Sequence, residues 1–90
     1  MMTQPQIETA VRQFVVDKFM FGQGADKLAN DTSFLESGLI DSTGVLELVM
    51  FLEEKFRVKV ADDEMLPENL DSVSSIAGFV TRKLSSRTAA

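Results

Sequence analysis

Ninety residues, 44% of them hydrophobic and 26% charged, suffice for one domain with a single modest core and are too few for two. The chain has no cysteine and no histidine, so it holds no thiol nucleophile, no Ser-His relay and no zinc site built on Cys or His. A formal net charge of −5 argues against nucleic acid as a partner, because phosphate binding needs clustered Lys and Arg.

The charge is unevenly placed. Residues 31–71 hold eleven acidic and three basic side chains, whereas the two ends together hold three acidic and six basic. The middle of the chain is thus a negative surface suited to steering basic partners. Residues 1–6 are polar and do not lead into a signal-like apolar run, and no stretch approaches the ~20 apolar residues of a membrane span. A cytoplasmic monomer is expected.

In chain order, Thr3 and Gln6 fit a capping box with Pro5 tolerated in the first turn. The helix that follows carries Ile7, Ala10, Val11, Phe14, Val15 and Lys18 on one side and Glu8, Arg12, Gln13 and Asp17 on the other. It should end near Phe19 or Met20, where Phe21-Gly22-Gln23-Gly24 breaks the pattern. A loop of about twenty residues then runs to Asp41, long enough to need anchors of its own. Leu28, Phe34, Leu35, Leu39 and Ile40 are the candidates, and Thr32-Ser33 can open a short turn.

The second helix covers roughly Ser42 to Phe56, with Val45, Leu48, Val49, Leu52 and Phe56 as its core stripe. Its opposite face mixes Leu46, Glu47, Met50, Phe51 and Glu54, with Glu53 at the edge. Apolar side chains among glutamates suit a docking surface, above all Leu46 and Met50, the alternative being that Leu46, Met50 or Phe51 covers a neighbouring loop. Residues 57–60 alternate like a strand but have no second strand to pair with, so an extended connector plugged by Val58 and Val60 is expected. Residues 62–65 suit a short third helix stopped by Pro67. They lack the ligand spacing and central glycine of a calcium loop, and no metal site is expected. Asp71 or Ser72 caps the last helix, carried by Val73, Ile76, Ala77, Val80 and Leu84, with Phe79 also packing inward. Arg82 and Lys83 suit its C-terminal end, and residues 85–90 should fray. The sum is a single all-α domain with a core over about 4–84: a four-helix bundle of three long helices, a short third helix and a long first loop.

One stretch stands apart. Gly38-Leu39-Ile40-Asp41-Ser42 runs directly into the second helix, so a turn with an apolar plug delivers a serine to the helix's first turn. Either Asp41 or Ser42 could cap that helix, and an Asp-Ser pair alone signals nothing, since Asp71-Ser72 is a second copy. The Gly38-Leu39 lead-in, the acidic and apolar mixture after the serine and its place near mid-chain distinguish the first copy. On these residues the chain resembles the acyl and peptidyl carrier proteins, nearly throughout but most specifically over residues 34–60.

The resemblance implies that a phosphopantetheinyl transferase attaches 4′-phosphopantetheine from coenzyme A to the Ser42 hydroxyl. The arm's thiol would then carry an acyl or aminoacyl group as a thioester between activating ligases, synthases and transferases. It also implies partner contacts at Asp41, Leu46, Glu47, Met50, Glu53 and Glu54, joined by Val60 and Asp62. Thr43 stands where a leucine or methionine usually follows the serine, and Gly44 is a helix-weakening residue in the first turn. These departures point to a discrete carrier in a specialised fatty acid, polyketide or nonribosomal peptide-like pathway. The competing reading is an unmodified acidic helical adaptor for a basic partner. Catalysis by the chain itself is not expected, because Ser42 has no histidine to activate it.

Overall fold

Four helices and one 3-10 turn account for the regular structure of this computed structural model, which describes residues 3–24 and 28–89. They run in the order α1 (Gln4–Phe19), α2 (Ser42–Phe56), the 3-10 turn (Asp62–Glu64), α3 (Pro67–Leu70) and α4 (Val73–Ala89), with no strand among the described residues. Residues 1 and 2, and residue 90 at the end of the expected tail, lie outside the described residues.

α1 opens on both halves of the Thr3 capping box: the Gln6 amide donates to Thr3 Oγ1 and the Thr3 amide donates to Gln6 Oε1 at 2.8 Å. Ile7, Val11, Val15 and Val16 are buried along it, and Ala10 and Phe14 pack at the margin. Lys18, placed on this side by its spacing, is exposed instead; the stripe turns to Val16, which spares an ammonium group the cost of desolvation. α2 buries Leu48, Val49, Leu52 and Phe56, with Val45 half-buried, and Arg57 in the left-handed conformation ends it. Residues 57–60 form the expected extended connector, with Val58 and Val60 buried.

The long loop is fastened by both apolar and polar groups. Leu28, Phe34 and Ile40 are buried and Leu39 partly so, but Leu35 is 47% exposed and anchors nothing by burial. The turn that sends Phe34 inward leaves its neighbour facing out. The Arg12 guanidinium reaches from α1 to donate to the Leu28 carbonyl and Asn30 Oδ1. At the other end of the loop the Phe34 amide donates to the Asp71 carbonyl at 2.8 Å, while the Asp71 carboxylate accepts from Ser33 Oγ and from the Leu35 amide. Asp71 is therefore a clasp for the loop, and Ser72 is the cap of α4, its Oγ accepting from the Ser75 amide at 3.1 Å.

Pro67 starts a helix rather than stopping one. Proline lacks an amide that the first helical position does not use, and Leu66 before it is extended, as a residue preceding proline must be. The Asp62 segment is accordingly a single 3-10 turn, and the short third helix begins at Pro67. α4 packs along α1 and carries α3; Val73, Ile76, Ala77, Phe79 and Val80 are buried in it. It stays helical to Ala89, past the expected limit at Leu84, so Arg82 and Lys83 sit in mid-helix. There they tie back, Lys83 to Glu64 at 2.8 Å and Arg82 to Asn69 at 3.4 Å.

Hydrogen bonds to a charged acceptor contribute roughly 1.5–3 kcal/mol each. Asp71→Ala should therefore lower the free energy of urea unfolding by about 1–3 kcal/mol, while Asp31→Ala, at an exposed carboxylate, should stay within about 0.5 kcal/mol of the parent. Equal, small effects from both would contradict the clasp.

Candidate functional site

The chain enters α2 through a tight reversal. Gly38 takes a left-handed conformation (φ 73°) that a side chain would strain, Ile40 drops into the core at 2% exposure, and Asp41 becomes the N-cap. The Asp41 carboxylate accepts the Gly44 amide at 2.8 Å, and its carbonyl accepts the Val45 amide at 3.0 Å. With one helix-end amide satisfied by Asp41, the Ser42 hydroxyl is not needed as a cap. Ser42 stands exposed at the first helical position.

Gly44 has a packing reason to lack a side chain. A Cβ there would lie 2.8 Å from Ile40 Cγ2 and 2.9 Å from Phe19 Cε1. The helix gives up to ~1 kcal/mol of propensity at this position, and closing Ile40 and the end of α1 against α2 offsets it, since burying a large apolar side chain contributes about 1.5–3 kcal/mol.

Ser42 also lies on the rim of an apolar cavity of about 290 Å³. Its walls come from four separate segments: Phe34 and Leu35 from the loop, Val45 and Leu46 from α2, Met65 and Leu66 after the 3-10 turn, and Leu70 with Asp71 at the end of α3. Leu35 and Leu66, respectively 47% and 41% exposed, rim it; no periodic pattern connects them in sequence.

The residues that the resemblance marks for partner contact fall into three groups. Leu46 and Met50, 54% and 60% exposed, share the outer face of α2 with the exposed Glu47 and Glu54, and Asp41 stands at its head. Glu53 and Asp62 have local work: the Glu53 carboxylate accepts the Val60 amide at 3.0 Å, and Asp62 opens the 3-10 turn. Val60 is 8% exposed and packs in the core, leaving little surface for a partner. Phe51 also turns to packing, stacked on Phe14 at 4.2 Å and edge-on to Phe56 at 6.1 Å. Glu47 lies 3.9 Å from Lys18, an exposed pair of little energetic weight.

The segment flanking the cavity is held by Glu64. Its carboxyl is kept below the ordinary glutamate value first by the hydrogen bond from Lys83 and then by the Ala61 amide. A depressed folded-state pKa means that this tie stabilises the fold above the unfolded value of about 4.3 and is lost as pH falls through the folded value. In a carboxyl NMR titration Glu64 should titrate below the free-glutamate midpoint, and Lys83→Met should move it upward. A midpoint that ignores the substitution would contradict the tie. Among the described residues no group of three or more His, Cys, Asp or Glu is placed to hold a metal ion.

Comparison with known proteins gives the family of the chain. The family model described as "Phosphopantetheine attachment site" matches residues 11–80. An acyl carrier protein of Akkermansia muciniphila is 36% identical over 81 residues, spanning 90% of this chain and 96% of that protein. One of Exiguobacterium sibiricum is 34% identical over 79 residues, spanning 88% and 95%. The solution NMR structure of a holo acyl carrier protein from Nitrosomonas europaea superposes with a TM-score of 0.75 at 32% identity, covering 89% of this chain and 98% of the other. A match of this length to the attachment-site model, joined by relatives above 30% identity along almost their whole length, makes this chain a member of the acyl carrier protein family, with phosphopantetheine as its covalent cofactor.

Proposed function

We propose that Ser42 is the attachment point of 4′-phosphopantetheine and that the chain carries acyl or aminoacyl groups between enzymes of a specialised fatty acid, polyketide or nonribosomal peptide-like pathway. The observation that carries the proposal is the division of labour at the start of α2: Asp41 takes the cap, and Ser42 keeps an exposed hydroxyl. A phosphodiester there faces the N-terminal end of a helix, whose amides and dipole favour negative charge by roughly 0.3–1 kcal/mol. The arm supplies the thiol that this sequence lacks, on which the cargo is held as a thioester.

The chain's own residues recognise and position; they do not activate. Ser42 has no histidine beside it, so a phosphopantetheinyl transferase using coenzyme A and magnesium performs the attachment, and the chain acts as a non-catalytic carrier in the cytoplasm. Asp41, Glu47 and Glu54 steer basic surfaces of the transferase and of acyl- or aminoacyl-activating ligases, synthases and transferases, while Leu46 and Met50 bury against them. Glu53 and Asp62 contribute charge at the edge of this surface. Thr43 and Gly44 beside the serine support the specialised role, since they differ from the usual pattern where the arm leaves the protein.

Incubation with coenzyme A, magnesium and a broad-specificity phosphopantetheinyl transferase should add the mass of one phosphopantetheinyl group to the parent chain and none to Ser42→Ala. No gain in a folded parent, with an active control carrier in the same tube, would favour the unmodified acidic adaptor.

A further inference from the structure

The start of α2 borders a second concavity besides the apolar cavity. A groove of about 330 Å³ lies between the end of α1 and the first turn of α2, lined by Phe19, Leu39, Asp41, Thr43 and Glu47 around Gly38 and Gly44. Its lining includes Asp41 and Thr43, the residues on either side of Ser42. From the geometry we infer that this groove is the resting seat of the unloaded phosphopantetheine arm, an inference that rests on Ser42 being the attachment point.

Three observations carry it. First, the groove pairs apolar wall with polar rim: Phe19 and Leu39 are half-buried, while Thr43, Asp41 and Glu47 are exposed. The Thr43 hydroxyl has no hydrogen-bond partner among the described residues, so it can both donate and accept. Pantetheine has matching chemistry, a gem-dimethyl group with a hydroxyl and two amides. Second, the apolar cavity on the other side, walled mainly by Phe34, Val45, Met65 and Leu70, offers such amides few partners, because the Asp71 carboxylate on its wall already accepts from Ser33 and Leu35. Third, the groove's shape is set by Gly44. Its missing Cβ is what allows Phe19, held edge-on against Phe14 at 5.9 Å, to close beside the first turn.

Tethering makes a weak site sufficient. An arm fixed at Ser42 meets a groove lined by the next residue at high effective concentration, so modest contacts are enough to populate it. Thr43 and Gly44, which depart together from the usual carrier pattern, shape the same groove.

The test is a nuclear Overhauser measurement on the holo protein, after intact mass has established that one arm is attached. Failure to attach the arm refutes the Ser42 reading; an attached arm elsewhere refutes this one. Cross-peaks are expected from the gem-dimethyl protons to the Phe19 ring and Leu39 methyls. Thr43→Val, which keeps the shape and removes the hydroxyl, should weaken them at least about twofold. Gly44→Ala, if its amide spectrum shows a folded chain, should abolish them. Contacts only to Val45, Met65 or Leu70, no contacts at all, or intensities unchanged in Thr43→Val would overturn the inference.

Discussion

The hydrogen bond from the Gly44 amide to the Asp41 carboxylate is the constraint on which the site depends. A helix start needs an acceptor for its orphan amides, and two adjacent residues here could supply one. Because Asp41 does so from an extended backbone, Ser42 becomes the first helical residue and its hydroxyl remains at the surface. Ile40 in the core and Gly38 in its left-handed turn hold Asp41 in that position. Were the register shifted by one residue, serine would cap the helix and its oxygen would be spent on the backbone.

The surroundings of Ser42 differ from side to side. One side opens to an apolar cavity assembled from the loop, α2 and the segment around α3; another opens to a groove with polar rims; along α2 runs a face of Leu46 and Met50 among glutamates. The core runs through the stripes of α1, α2 and α4 and reaches this point through Phe34, Ile40 and Leu70, so three different surfaces meet over its edge. The loop and the 3-10 turn beside the cavity are held by polar ties, the Asp71 clasp and the Lys83 to Glu64 bond, in addition to the burial of Phe34 and Leu70.

What was local in the sequence was legible. The Thr3 to Gln6 capping box, the span of α2, its buried stripe, the extended connector with Val58 and Val60, and the all-α architecture each follow from short-range pattern. The resemblance at Ser42 likewise rested on a contiguous stretch, and the family is the one the comparisons establish. What depended on distant partners was not legible. Spacing alone could not show that Arg12 leaves the outer face of α1 to bind Leu28 and Asn30, that Asp71 would clasp Ser33 and Leu35 rather than cap α4, or that Leu35 would face outward. Pro67 was ambiguous for a different reason, because proline both ends helices and begins them, and only the extended Leu66 decides between the two. The cavity was invisible in principle, since its lining joins residues from 34 to 71 with no common period.

The site turns on which of two neighbouring oxygens holds the helix. Urea unfolding of Asp41→Ala and Ser42→Ala, measured side by side on the unmodified chain, addresses it directly. Loss of the cap should cost Asp41→Ala about 1 kcal/mol, and Ser42→Ala should remain within about 0.5 kcal/mol of the parent. A Ser42→Ala chain as destabilised as Asp41→Ala, or more so, would mean that the serine is bound up in the fold and would contradict the claim that its hydroxyl is held free.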